Sequence, residues 1–325
     1  MSHRLFVSCG VLAAALLMVP ATGRVVAGQA FYKPDTPKFP QARTWVAQRA
    51  KLPPYKAPRT PDGVPDLTGN WNGPIGGGND DLEEHDYIDV TTPPQESYIS
   101  DPADGKVPYT PRALARRNEI RAGLARGWPG ETGQRLYGDP AALCLVGMPR
   151  SSFGAQQIVQ TRGQVILLTA NTYRVIPTDG RAHMSPTAKT FFGNSRGRWE
   201  GETLVVDVTG INGETWIDSA GNFYGPNTHM IERWTRVEPN TIDYQITIED
   251  TSIYTRPWTM TYPKRRAGTG AGANPGGTTA AGAATNVNND PYAEEFWENT
   301  CIEGNFDNVL EIKNLGFKWF NPVIP

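Results

Sequence analysis

The chain has 325 residues, 31 Lys and Arg against 33 Asp and Glu, and 38% hydrophobic residues. That length can build a large core, and a mild acidity without a basic cluster excludes nucleic acid and anionic membrane surfaces as expected partners. Past the N-terminal stretch the histidines are His85, His183 and His229, widely separated, so the expected site holds no metal.

Residues 1–30 read as an export signal. Arg4 precedes "LFVSCGVLAAALLMVPA", and small residues suited to cleavage follow near Ala21 and Ala30. The apolar run is short and interrupted by Ser8, Cys9 and Gly10, unlike a membrane span. No later segment is apolar for long enough to cross a bilayer, so the expected compartment is periplasmic or secreted. Cleavage would leave Cys144 and Cys301, and an isolated cysteine pair in an oxidising compartment is expected to form a disulfide.

Residues 31–68 are rich in proline, with "FYKPDTPKFP" and "LPPYKAPRTPDGVPDLTG". They predict an extended, irregular leader wrapping the surface. Residues 69–325 are read as a single β-barrel domain. Within it "TPRALARRNEIRAGLAR" predicts a helix over about 110–126, with Thr110 as N-cap, Pro111 in the first turn and a solvated arginine face.

From Gln156 the pattern is β. Turns are expected at Arg162-Gly163, Asp179-Gly180, Glu200-Gly201 and Pro239-Asn240, between short apolar runs. Leu204, Val206 and Val208 share one face, as do Ile242, Tyr244, Ile246 and Ile248, leaving Asp243, Gln245, Thr247 and Glu249 outward. The fold class expected is mainly β: an antiparallel meander closing into a barrel. Residues 267–290, "AGTGAGANPGGTTAAGAATNVNND", are too poor in large apolar groups to offset ordering entropy and predict a disordered insert.

The chemistry-bearing residues gather in two stretches. In "YRVIPTDGRAH", Arg174, Asp179, Arg181 and His183 are expected to cluster in one hairpin. His183 suits acid–base work near neutrality, Asp179 orients it, and Arg174 or Arg181 holds a carboxylate or enolate oxygen. In "TWIDSAGNFYGPNTHMIERW", Trp216, Asp218, Tyr224 and His229 are candidate ligand contacts at a barrel mouth. Each set has a structural counterpart: Asp-Gly is a favoured turn, an arginine beside it can cross-link strands, and "DSAGN" can be only a turn. The sequence "GNSRG" superficially resembles a nucleophile elbow around Ser195, but it leads into a hairpin instead of a helix. No nucleotide-binding fingerprint is present, and no cofactor is expected.

The triplet Gly69-Asn70-Trp71 resembles the G-x-W that opens lipocalin-like (calycin) barrels, where the tryptophan plugs one end against an arginine from a late strand. Arg233 or Arg256 is the arginine expected to meet it. The motifs "RTPDGVPDLTGNW", "YRVIPTDGRAH", "GNSRGRWEGETLVVDVTGIN", "TWIDSAGN", "IERWTR" and "TIEDTSIYTRPW" resemble, in this order, a widespread family of exported bacterial proteins without an assigned activity. The resemblance implies fold and compartment and no reaction. Where it implies a histidine after "TWIDSAGN", this chain has Tyr224.

Three functional readings follow. One is a barrel that binds a small, partly apolar molecule and acts on it by cofactor-independent acid–base chemistry, as a lyase, isomerase or hydrolase. The others are a non-catalytic carrier and a structural envelope protein. An enzyme is expected to gather His183 with an arginine and a carboxylate inside a pocket, and a carrier to show apolar walls without convergent ionisable groups.

Overall fold

Alternation of inward apolar and outward polar residues governs the architecture. In the computed structural model, residues 38, 40–73, 81–86, 94–124, 137–143, 145–154, 156–169 and 172–267 are described. They form ten strands: β1 (Gly69–Asn72), β2 (Ile99–Asp101), β3 (Gln156–Thr161), β4 (Gln164–Thr169), β5 (Thr172–Pro177), β6 (Asn194–Glu200), β7 (Thr203–Thr209), β8 (His229–Glu238), β9 (Thr241–Glu249) and β10 (Trp258–Arg266). Two α-helices, α1 (Ala42–Arg49) and α2 (Pro111–Ala122), accompany them among the described residues. The sheet order is β5-β4-β3-β1-β10-β9-β8-β7-β6, with β2 paired to β10 off that path.

Every ladder is antiparallel. Taken around the circle, β1 stands between β3 and β10 and the rest follow chain order. The result is a nearly closed nine-stranded meander barrel of the calycin-like kind, as the sequence pattern leads one to expect. The gap lies between β5 and β6, which end the hydrogen-bonded path. Side chains close it: Arg174 Nε donates to Ser195 Oγ at 3.0 Å, and a Cβ on Gly197 would stand 2.9 Å from Ile176 Cγ2 and Thr178 Cγ2. Gly197 therefore lets the two strands approach.

Inward residues repeat at every second position. Leu204, Val206 and Val208 on β7, Met230, Glu232 and Trp234 on β8, Ile242 to Ile248 on β9 and Trp258 to Lys264 on β10 are buried in this phase. Aromatic packing fills the centre, with Tyr244 4.4 Å from Trp234 and 4.9 Å from Tyr262 between ring centroids.

One end is plugged by Trp71. Its indole donates to Leu67 O at 2.8 Å, and the guanidinium groups of Arg266 and Arg236 lie 4.7 and 5.7 Å from the ring. These arginines, not Arg233 or Arg256, meet the tryptophan. Arg233 and Arg256 point outward to Glu200 and Asp101. Gly69 has φ +128°, and a Cβ there would lie 2.7 Å from Arg266 Nη1. The glycine of the triplet makes room for the stacked arginine.

The opposite end carries a cap built from the 211–228 stretch together with residues 107–120 and 145–153. Phe223 and Tyr109 stack there at 5.4 Å, and Tyr254 Oη donates to Phe223 O at 2.8 Å.

Three expectations are corrected. The leader is not wholly irregular: α1 lies within it, and its Trp45 packs under Arg265, the guanidinium 5.1 Å from the ring. Trp45 Nε1 also donates to Asp243 Oδ1 at 2.7 Å, so Asp243, expected outward, is covered. On α2, Thr110 Oγ1 accepts the Ala113 N–H at 3.3 Å as the expected N-cap, and the helix stops at Gly123. Its arginine face is not all solvated. Arg117 is buried, bonding Glu83 at 2.9 Å and Asn222 at 3.2 Å. The expected export signal, the disulfide pair Cys144 and Cys301 and nearly all of the 267–290 insert lie outside the described residues.

Candidate functional site

The "TDGRAH" stretch does not form the expected hairpin. β5 ends at Pro177 and β6 starts at Asn194, so Asp179-Gly180 opens a long connection over 178–193. Gly180 adopts φ +80°, as a turn there requires. Its charged neighbours then part company. Asp179 and Arg181 pair with each other at the surface, Arg181 Nε 2.9 Å from both carboxylate oxygens. That bond, with the Arg181 backbone N–H, holds the Asp179 carboxyl down at about 2. Arg174 turns inward instead, and His183 settles on the outer face of β7.

On that face His183 shares a carboxylate with His229, 46 residues further along the chain. His183 Nε2 lies 3.1 Å from Asp207 Oδ1, and His229 Nε2 lies 3.2 Å from the same oxygen. His183 Nδ1 stands 3.0 Å from Asn194 Oδ1 and 3.2 Å from Thr209 Oγ1, while His229 Nδ1 is 2.6 Å from Glu249 Oε1. Burial opposes charge on His229, but the Glu249 and Asp207 carboxylates outweigh it and raise its pKa. All four ring nitrogens already have a partner. The arrangement ties the 178–193 connection to β6, β7, β8 and β9 and leaves no imidazole nitrogen pointing at an open site. No group of three or more His, Cys, Asp or Glu among the described residues is placed to hold a metal ion.

Trp216, Asp218 and Tyr224 do not line a mouth. All three are fully buried in the cap. Asp218 builds the "DSAGN" turn: Oδ1 accepts the N–H groups of Ala220 and Asn222 at 3.0 Å, and Oδ2 accepts Leu82 N–H at 2.9 Å. Burial first, then the Asp81 carboxylate, push its pKa up to about 7. Burial also drives the Tyr224 phenol upward. Its hydroxyl has no hydrogen-bond partner among the described residues.

The ionisable groups that do converge inside the barrel are Arg174, Glu232 and Lys264. Arg174 Nη2 and Nη1 pair with the two oxygens of Glu232, the second at 3.3 Å, and Tyr244 Oη donates to Glu232 Oε1 at 2.8 Å. Arg174 thus spans the seam from β5 through Ser195 on β6 to Glu232 on β8. Ser195 is a strand residue accepting from an arginine, not an elbow nucleophile.

Lys264 is fully buried. Its ammonium nitrogen lies 3.3 Å from Gly154 O and 5.6, 5.9 and 6.0 Å from the ring centroids of Trp234, Tyr244 and Tyr262. Burial pulls its pKa down to about 7, against the opposing pull of Glu232. Glu232, Tyr244, Tyr262 and Lys264 each have zero exposure, so no water-sized space adjoins them.

Sequence reasoning passes over Asp207, Glu232, Glu249 and Lys264 as site residues. The signal for two of them is present. Glu232 falls in phase with Met230 and Trp234, and Lys264 with Met260 and Tyr262. A charged residue in the inward phase of an apolar strand marks a buried ion.

Searches against protein-family models, curated proteins and solved structures find no match to this chain. No helix among the described residues is long and apolar enough to cross a membrane.

Proposed function

We propose that this is an exported barrel protein that binds a small, partly apolar molecule carrying an acidic or carbonyl group, received at the Arg174–Glu232–Lys264 core when the barrel, closed there in this structure, opens to admit it. One observation carries the reading: an Arg174–Glu232 ion pair and a buried Lys264 amine, bonded to a backbone oxygen and ringed by Trp234, Tyr244 and Tyr262, lie inside an aromatic barrel. Buried ion pairs usually cost stability relative to apolar packing, so their presence calls for a use. Lys264, when protonated, supplies a surplus cation whose hydrogen-bond acceptor is the backbone oxygen of Gly154. An acidic group on a ligand would complete the charge balance, and the surrounding rings suit an apolar body. The β5–β6 seam, where the ladder is interrupted and side chains alone close the barrel, is the place that would part to admit it. The resemblance to exported bacterial proteins supports the compartment. Any acid–base step falls to Lys264, whose lowered pKa suits proton transfer, and not to His183.

The test is native mass spectrometry of the purified protein, together with titration by 8-anilinonaphthalene-1-sulfonate, an apolar anion. The wild type is expected to carry a small molecule and to bind the probe, and Lys264→Met to bind it about tenfold more weakly, equivalent to about 1.4 kcal/mol. A probe affinity equal in both proteins, with nothing co-purifying, overturns the reading.

A structural role is the second reading, favoured by the absence of water-sized space beside Glu232 and Lys264. It expects Lys264→Met to raise stability and change no binding.

A further inference from the structure

The outer face of the barrel changes character around its circumference. On β6 to β9 it carries ion pairs, with Arg198 and Arg233 on Glu200 and His229 between Asp207 and Glu249. β3, β4 and β5 contain a single charged residue, Arg174, and it turns inward. Five apolar side chains stand together on the outer face of these strands, in two rows set by the register. Val159 faces Ile166, which faces Val175, and Leu168 faces Tyr173. Tyr173 is 67% exposed and Val175 40%, while Val159, Ile166 and Leu168 are half-buried. An antiparallel sheet that meets water ordinarily turns polar residues outward, and a contiguous apolar face marks a surface that something covers.

Size and position identify the cover. Three strands about 4.8 Å apart, each with outward residues about 6.8 Å apart, give the face a footprint of roughly 300 Å². A stable association between separate molecules takes roughly 800 Å² on each side, so this face alone is too small to hold a second copy. A tethered segment needs less, because the link keeps it at an effective concentration of roughly millimolar. The chain provides that tether. It leaves β10 at Arg266, and the Ala267 N–H donates to Asn70 O on β1 at 2.9 Å. Asn70 faces Gln157, Gln157 faces Leu168, and Leu168 faces Tyr173. Ala267 therefore stands in the row of Tyr173, four strand spacings or roughly 19 Å away. The stretch 268–290, at about 3.3 Å per extended residue, can span that distance several times over. Beyond it comes "VLEIKNLGFKWF", residues 309–320. Leu310 and Ile312 flank Glu311, and Leu315, Phe317 and Trp319 alternate with Gly316 and Lys318. Such alternation suits a segment with one face covered and one in water.

We infer that residues 309–320 lie across the outer face of β3, β4 and β5 as an intramolecular strap over Ile166, Val175 and Tyr173. The alternate apolar residues of the segment supply the cover and leave Glu311 and Lys318 to water. The strap sits outside the barrel, so it stands or falls independently of what the interior binds.

Nitration of Tyr173 by tetranitromethane in the full chain tests this, read by peptide mass spectrometry at a low and a high protein concentration. In the wild type Tyr173 is expected to react slowly, at the same rate at both concentrations. Phe317→Ser combined with Trp319→Ser is expected to raise that rate roughly tenfold, by releasing the cover. Conversely, Ile166→Glu at the centre of the face is expected to speed tryptic cleavage after Lys313 and Lys318 roughly tenfold. The strap is overturned if Tyr173 reacts equally fast in the wild type and the doubly substituted chain, or if a folded Ile166→Glu leaves cleavage unchanged. Protection of Tyr173 that disappears on dilution also overturns it and assigns the face to a second copy. Should Ile166→Glu fail to fold, the Tyr173 comparison decides alone, because Phe317 and Trp319 lie beyond the barrel strands.

Discussion

Arg174 on β5 and Glu232 on β8 form a buried pair that crosses the open seam of the barrel. Arg174 also donates to Ser195 on β6, so one side chain joins three strands where the sheet has no ladder. The pair should therefore respond asymmetrically to mutation. Glu232→Gln leaves the guanidinium buried without its counter-ion and is expected to cost about 3 kcal/mol or more. Replacing both partners, Arg174→Met with Glu232→Leu, is expected to cost much less. Urea midpoints of the two single variants and the double variant measure the difference. Additive losses would show that the two side chains act independently.

Lys264 gives stability a pH dependence whose sign can be stated. Its folded pKa is lowered to about 7 from an ordinary 10.5. Between those values the unfolded chain binds more protons than the native protein, so this contribution rises with pH across the window and is flat below it. Lys264→Met removes the slope, which amounts to at most about 1.4 kcal/mol per pH unit. The variant is expected to be more stable than the wild type near neutrality and to lose that advantage toward about pH 10. Denaturant midpoints at several pH values check it. A wild-type slope that survives in Lys264→Met would assign it elsewhere.

The barrel is legible in the sequence because period-two alternation and glycine turns are local signals, and phase alone puts Ile242 to Ile248 on the correct face. Trp71 is legible as the plug, yet its arginine is not. Choosing Arg266 over Arg256 requires the register of β1 against β10, which no local pattern encodes. The "TDGRAH" cluster reads as one site because its residues are close in sequence. Strand phase sends Arg174 inward, and Asp207, on another strand some 25 residues along the chain, draws His183 outward. Glu232 and Lys264 are legible by phase, but only to a reading that asks which charged residues share a face with apolar ones.

Gly69 should tolerate substitution worse than a glycine that has only its backbone to satisfy. At Gly69 a positive φ coincides with a 2.7 Å approach to Arg266 Nη1, so Gly69→Ala must also displace the arginine stacked on Trp71. Gly201 has φ +60°, and a Cβ added there would meet nothing within 4 Å. Gly201→Ala is expected to cost about 1 kcal/mol and Gly69→Ala about twice that or more. Thermal melts of the two variants compare them, with Trp71 fluorescence reporting on the plug. Equal losses would mean that Arg266 moves aside freely.

Trp45 anchors α1 by donating to a carboxylate that the helix itself buries. Asp243 receives the indole N–H at 2.7 Å and the Arg49 guanidinium at 2.9 Å, and burial raises its pKa against both. Trp45→Phe keeps most of the ring packing and removes the N–H, so the carboxylate loses a charge-assisted bond worth about 1.5–3 kcal/mol. Asp243→Asn loses the ion pair with Arg49 but no longer buries a charge, and its cost should be smaller. Combining the two substitutions should therefore cost less than the sum of the single changes, because each removes part of the same interaction. A double-mutant cycle from urea denaturation measures the coupling. Limited proteolysis near Arg49 should quicken in Trp45→Phe if the indole bond is what holds the leader on β9 and β10. Strict additivity and unchanged proteolysis would show that apolar packing under Arg265 alone keeps the helix in place.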